Sequence, residues 1–370
     1  MHYTSDNRIV LTLDAGGTNF VFNAVQGLEE IIEPITLPAK GDTLEDILKT
    51  IVDGFRQAEG KISQPPVAIS FAFPGPADYE NGIIGDLQNL PLFRGGVALG
   101  PMLEDQFGVP VYINNDGDLF AYGEAIAGLL PEVNAKLEEA GNPKRFRNLL
   151  GVTFGTGFGG GIVGRDGLFF GDNSAGGEIN RVRNRTFKNF DAEESVSIRG
   201  IKREFANLTG LNLASVPEPV MLFRIATGEV AGNREAAVKA FEAFATDAAD
   251  AIANAVTLTD SLVVIGGGLS GAAPVFLPKL VEEMNRPFST ASGGLLDRME
   301  ISAWNLEDPE QLAEFLRPSA VEVGVPFSEK KALYDPFKKT GVGISRLGTS
   351  RAVSVGAYAF ALSRLEKNHP

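Results

Sequence analysis

Residues 8–13 (Arg8-Ile9-Val10-Leu11-Thr12-Leu13) form an apolar, β-branched run that stops at Asp14 and a pair of glycines, as a strand does. Two more apolar stretches, 20–25 and 31–36, follow with turn residues around Gly27, and this spacing predicts an antiparallel meander. The period then changes. Leu44, Ile47, Leu48, Ile51 and Phe55 recur at helical intervals, with Thr43 or Asp42 placed to cap the first turn. Strand-like 67–73 breaks at Pro74-Gly75-Pro76, and a short strand at 110–114 feeds a helix from about Asp118 to Gly128. Strands followed by helices imply an α/β layer architecture, with parallel pairing after the first meander.

A second series starts beyond the polar stretch 131–147. Strand 149–154 enters the glycine run 155–161, after which Ile162-Val163 and Leu168-Phe169-Phe170 continue as strands. Val238, Phe241, Phe244 and Ile252 mark one stripe of a helix near 234–256. Strand 261–265 meets Gly266-Gly267-Gly268, and a helix follows from Pro274. Each half therefore opens with a strand, a glycine turn and another strand, the pattern of a duplicated fold. The stretch 296–345 mixes Pro, Lys and Asp and reads as an irregular insertion or an embellishing subdomain. An Ala-rich amphipathic helix over 349–366 closes the chain behind Thr349 or Ser350.

Composition narrows the chemistry. The chain has 370 residues, enough for two domains, and no apolar run approaches the roughly 20 residues of a membrane span. The polar start runs straight into a strand, so the expected location is cytoplasmic. With no Cys, disulfides, thiolate metal sites and a Cys nucleophile are excluded. A net charge of −14 disfavours a nucleic-acid partner, although backbone amides and Mg2+ can still neutralise phosphates locally. His2 and His369 are the only histidines and sit at the ends, so acid–base work falls to carboxylates, Lys or Tyr.

Five constellations carry candidate chemistry. Asp14-Ala15-Gly16-Gly17-Thr18-Asn19 lies between two strands; it is either a tight hairpin or a phosphate turn with Asp14 holding hydrated Mg2+. Gly155-Thr156-Gly157-Phe158-Gly159-Gly160-Gly161 fits the dinucleotide spacing, yet it leads into a strand where that fingerprint needs a helix, so a phosphate clamp suits it better. Gly266-Gly267-Gly268-Leu269-Ser270-Gly271 does precede a helix but lacks the acidic residue expected beyond it; its glycines would let an adenine or ribose lie against the backbone. Asn114-Asn115-Asp116-Gly117-Asp118 ends a strand, where Asp116 is either a helix cap or a carboxylate that accepts a hydroxyl proton. Gly176-Gly177-Glu178-Ile179-Asn180-Arg181, with Glu193 and Glu194 beyond, offers carboxylates for vicinal hydroxyls or merely solvated charges.

The order of these signals, Asp-Gly-Gly-Thr, Pro-Gly-Pro, Asn-Asp, Gly-Thr-Gly, Gly-Glu-Ile, Gly-Gly-Gly, resembles the ROK family of sugar kinases, within the sugar kinase/heat-shock/actin-like ATPase superfamily. The resemblance covers roughly 8–290 and 348–366. It implies an α/β fold of two ribonuclease-H-like domains, 1–116 plus 349–370 and 117–348, with sugar and ATP bound in the cleft. It implies Asp116 as catalytic base, and Gly75, Gln88, Asn89, Asn115, Glu178, Arg181 and Glu193 around the sugar. Gly16, Gly17, Thr18, Asn19, Gly155, Thr156, Gly157, Gly267 and Gly268 would face the nucleotide, and Asp14 would hold Mg2+ through water. A homodimer is also implied. Two departures stand out: Asn180 and Arg181 replace the family's Gly-His, and the Cys-rich zinc segment is missing, so no zinc site is expected and the loop 181–195 must be held otherwise.

The leading expectation is ATP-dependent phosphorylation of a hexose or hexose-derivative hydroxyl. The alternative is a catalytically impaired sugar-binding or sensor protein of the same fold. A helix-turn-helix repressor has no room before the first strand, and a nicotinamide enzyme rests only on the two glycine spacings.

Overall fold

β1 (Val10–Ala15) pairs antiparallel with β2 (Asn19–Gln26), Asp14 lying opposite Val21. The short β3 (Glu29–Glu30) and β4 (Ile35–Pro38) both pair with β2, completing the expected meander. Helix α1 (Leu44–Glu59) opens with a reciprocal cap: Thr43 Oγ1 accepts the Asp46 N–H, and the Asp46 carboxylate accepts the Thr43 N–H. It buries Ile47, Ile51 and Phe55 against the sheet. β5 (Ala68–Ala72) and, after helix α2 (Leu99–Phe107), β6 (Val111–Asn114) add in parallel, giving the order β3-β2-β1-β5-β6. Helix α3 (Asp116–Ala127) leaves the end of β6.

The computed structural model describes residues 3–16, 18–75, 77–85 and 91–368. The chain divides into two units, one of residues 1–128, 166–177 and 347–370, the other of residues 129–165 and 178–346. In the first, the C-terminal helix Thr349–Asn368 lies on α3 so closely that a methyl group on Gly356 would overlap the Leu119 carbonyl. Its Tyr358 hydroxyl donates to the Arg8 carbonyl at 3.2 Å and accepts the Gly27 N–H at 3.1 Å, tying this helix to the residues that lead into β1 and out of β2.

The second unit repeats the scheme. After helix α4 (Leu129–Glu139), β7 (Leu149–Phe154) and β8 (Phe158–Gly164) form an antiparallel hairpin. Helices α5 (Ile198–Thr209), α6 (Pro219–Thr227) and α7 (Arg234–Thr259) follow, then β9 (Leu262–Gly266) and helix α8 (Ala273–Met284). β10 (Ser302–Asn305), helix α9 (Pro309–Leu316) and β11 (Lys339–Ile344) complete a sheet that runs β8-β7-β9-β11-β10, parallel beyond the hairpin. Phe154, Phe244 and Phe276 clasp edge to face, with ring centroids 5.0–5.8 Å apart, joining sheet, α7 and α8 in one core.

Two readings of the chain need correction. The polar stretch 131–147 contains most of α4, whose Leu129, Val133 and Leu137 are buried at helical spacing amid charged neighbours. The stretch 296–345 is no simple insertion, because β10 and β11 are strands of the main sheet. Only the hairpin Val321–Gly324/Lys331–Tyr334 stands wholly exposed there. Among the described residues no helix is long and apolar enough to cross a membrane.

Candidate functional site

The first unit aligns its strand ends. Asp14 pairs in register with Ala72, and Ala72 with Asn114, so β1, β5 and β6 end side by side, the edge at which open α/β sheets take ligands. A recess of about 180 Å3 there is lined by Asp14, Phe73, Pro74, Asp116, Thr349 and Ser350. The helix cap falls to Asn115: its backbone is extended and its side-chain oxygen accepts the Gly117 N–H at 2.7 Å. Asp116 Oδ1 shares that N–H at 2.9 Å. Asp116 keeps open surface at the mouth of the recess, but the protein packed around it is the largest influence on its carboxyl and pushes the pKa up. The negative charge of Asp14 adds to the rise, while the Gly117 and Asp116 N–H groups oppose it.

Gly16, Thr18 and Asn19 are exposed in the β1–β2 turn, where the Thr18 carbonyl accepts the Ala39 N–H at 2.9 Å. Gly17, Gln88 and Asn89 lie outside the described residues. Gly75 lies in a bend three residues beyond the end of β5. The Tyr79 hydroxyl donates to the Phe73 carbonyl at 2.9 Å, and a Cβ on Gly75 would sit 2.9 Å from that hydroxyl.

In the second unit the two glycine turns meet at one strand end. Gly155, Thr156 and Gly157 connect β7 to β8, with the Gly155 N–H donating to the Gly157 carbonyl at 3.0 Å. Gly267, at φ +86°, passes so close to Phe154 that a Cβ would stand 2.6 Å from its nitrogen, and the Leu269 N–H donates to the Phe154 carbonyl at 3.0 Å. A Cβ on Gly155 or Gly268 would meet nothing within 4 Å, so both backbones lie open to a ligand.

Residues 178–197 show what holds this loop without cysteines. Asn184, 1% exposed, donates to the Asp191 carbonyl at 3.1 Å and to Ser195 Oγ at 2.8 Å. Its oxygen accepts the N–H groups of Thr186 and Phe187 at 3.0 and 2.8 Å. Thr186 reaches Asp247 on α7 at 2.7 Å, and Arg185 reaches the buried Glu283 on α8 at 2.9 Å. Removing Asn184 strands several groups, each worth about 1–3 kcal/mol when left unpaired. Asn184→Ala is therefore expected to lower stability by about 3 kcal/mol, read as a fall in the denaturation midpoint at unchanged m. Glu178 is exposed beside this loop. Arg181 pairs with Asp191 at 3.3 Å with its side chain three-quarters exposed. Glu193 is engaged already: Oε2 accepts the Phe158 N–H at 3.0 Å and Oε1 pairs with Arg199 at 3.2 Å.

Asp14, Asn115 and Asp116 thus gather in one unit, and both glycine turns with Glu193 in the other. Tyr79, Asn184, Asp191 and Arg199 were missed, since an isolated Tyr, Asn or Arg carries no spacing signal.

The ROK family profile matches residues 10–293. The solved glucokinase of Parabacteroides distasonis is 53% identical, aligned over 100% of both chains at a TM-score of 0.90. An N-acetyl-D-glucosamine kinase of Photobacterium profundum is 28% identical over 288 residues, covering 72% of this chain and 87% of its own. The ROK hexokinase of Thermus thermophilus shares the fold at a TM-score of 0.67 and 19% identity, over 98% of this chain and 100% of its own. The two α/β units are those of the actin-like ATPase fold, and the chain belongs to the ROK family.

Proposed function

We propose that the protein is a sugar kinase that transfers the γ-phosphoryl group of ATP to a hydroxyl of a hexose or hexose derivative. The observation that carries this reading is the pairing of Asp116 with Asp14 in one recess at the strand ends, with the Asp116 carboxyl held above its ordinary pKa. A base closer to working pH accepts a proton more readily as the hydroxyl attacks. Relatives named glucokinase and N-acetyl-D-glucosamine kinase support the substrate class.

In this reading the sugar oxygen bonds to the γ-phosphorus, the bond to the β,γ-bridging oxygen breaks, ADP leaves, and the hydroxyl proton passes to the Asp116 carboxylate. Asn115 orients the sugar with Gly75, Gln88 and Asn89, and Glu178 and Arg181 belong to the same recognition set. Gly16, Gly17, Thr18, Asn19, Thr156 and Gly157 present N–H groups to phosphates, Gly155, whose own N–H closes the turn onto the Gly157 carbonyl, leaves room beside them for the phosphate chain, and Gly267 and Gly268 face the adenosine. Asp14 suits Mg2+: its carboxylate is exposed and lines the same recess as Asp116, so it could hold the ion through water beside the nucleotide's own phosphates. The ion supplies charge neutralisation on the transferring phosphoryl group. A cytoplasmic homodimer accompanies this reading.

The direct test is mass spectrometry of hexoses and N-acetylhexosamines incubated with protein and Mg-ATP; a sugar monophosphate is expected, and unaltered sugars throughout would refute the proposal. The acid limb of kcat/KM should lie above the carboxylate value of about 4, because both the protein packed around Asp116 and the charge of Asp14 raise its pKa. Asp14→Asn removes one of those causes and should move the limb of the residual rate to lower pH.

A further inference from the structure

The Glu193 carboxylate faces the glycine turn between β7 and β8. Its Oε2 takes the Phe158 N–H at 3.0 Å, and a Cβ on Gly157 would lie only 2.7 Å away from the same oxygen. The carbonyl of Gly155, at the other end of the turn, accepts the N–H of Ile198, the first residue of α5, at 2.9 Å. The turn is thus gripped at both ends by the segment that joins the 178–197 loop to α5. That segment is itself fixed, because Ser197 Oγ donates to the Glu193 carbonyl at 2.7 Å and Arg203 on α5 donates to the Glu194 carbonyl. A carboxylate on a phosphate turn is an electrostatic liability, since it repels the anion the turn would bind. Arg199 offsets it, pairing with Glu193 at 3.2 Å and Glu194 at 2.9 Å.

We propose that Glu193 is a positioning residue for the nucleotide: it fixes the 155–158 turn in its phosphate-binding shape, and Arg199 neutralises it there. This deepens the kinase reading and rests on it. Resemblance assigns Glu193 to the sugar, and the two roles separate experimentally because nucleotide binding can be measured with no sugar present.

Isothermal titration of Mg-ADP into the full-length protein, without sugar, reads the effect. Glu193→Ala is expected to weaken nucleotide binding about 10- to 100-fold, the equivalent of one charge-assisted hydrogen bond. Glu193→Gln keeps an acceptor for the Phe158 N–H and should restore affinity to within about threefold, a rescue that a general loss of packing would not show. Arg199→Met, at an exposed side chain, leaves the fold intact and should weaken binding by about threefold, an effect that added salt reduces. If Glu193→Ala and Arg199→Met bind Mg-ADP as the parent does and only sugar affinity falls, the positioning role is wrong and the kinase reading stands. If the parent binds no adenine nucleotide at all, the kinase reading itself fails.

Discussion

Asp116→Asn is expected to reduce turnover about 10²- to 10⁴-fold, the usual contribution of a general base, while sugar binding persists. Asn keeps the shape of the side chain and an oxygen for the Gly117 N–H, now 2.9 Å from Asp116 Oδ1, so helix α3 retains its start. Only the ability to take the hydroxyl proton is lost. The same substitution should make the protein more stable at neutral pH. Crowding and the charge of Asp14 raise the carboxyl pKa in the folded chain, so folded protein holds that proton more tightly than unfolded chain does. The stabilisation from this group is complete below the unfolded value of about 4 and is lost as pH rises through the folded value. Asn carries no such loss. Its Tm should exceed the parent's at pH 7, with the gap closing in acid, so a variant both slower and more stable would separate the catalytic role from a structural one.

Gly267→Ala should damage the second unit severely. Gly267 holds φ +86°, which a Cβ disfavours by about 1–2 kcal/mol. The new methyl would also be driven against the Phe154 backbone, with the nitrogen 2.6 Å away and the carbonyl oxygen nearer still. That strand end cannot give way easily, because the Phe154 ring is locked between Phe244 and Phe276 at 5.0 and 5.8 Å. Overpacking of this kind adds about 1–3 kcal/mol, so a total loss of about 2–5 kcal/mol is expected. Nucleotide affinity should fall with it, since Gly155 follows directly after Phe154. Gly268→Ala, where a Cβ meets nothing within 4 Å, is the matched control and should fold normally.

Much of this was legible in the chain because its logic is local. An apolar run that stops at glycines must turn, as β1 does after Asp14 and Ala15 and β7 does after Phe154. The cap of α1 and the aromatic stripe of α7 were readable for the same reason. Helix α5 is not evident from the sequence although Ile198, Ile201 and Phe205 have the right spacing, because those apolar positions are few and lie among Arg199, Lys202, Arg203 and Glu204, behind the carboxylates of 191–194. β11 was missed because Lys339 and Thr340 open it and are nevertheless buried, at 2% and 1% exposure. Polar residues that are satisfied by the tertiary structure look like loop in the sequence. The candidate site divided in the same way. Asp116 alone reads as a helix cap and drew its candidate role from Asn115 beside it and from the order of the glycine turns, whereas Asn184 acts through four partners that only folding assembles. Glu193 was singled out from the sequence, but its contact with Phe158, 35 positions away, was not visible there.

The most direct measurement is coupled release of ADP from Mg-ATP over a panel of hexoses and amino sugars, with the melting temperature recorded for each. Sugar-dependent ADP release that collapses in Asp116→Asn is the expected result. Sugars that raise the melting temperature while none drives ATP consumption would contradict it, and would mark a binding protein built on a kinase fold.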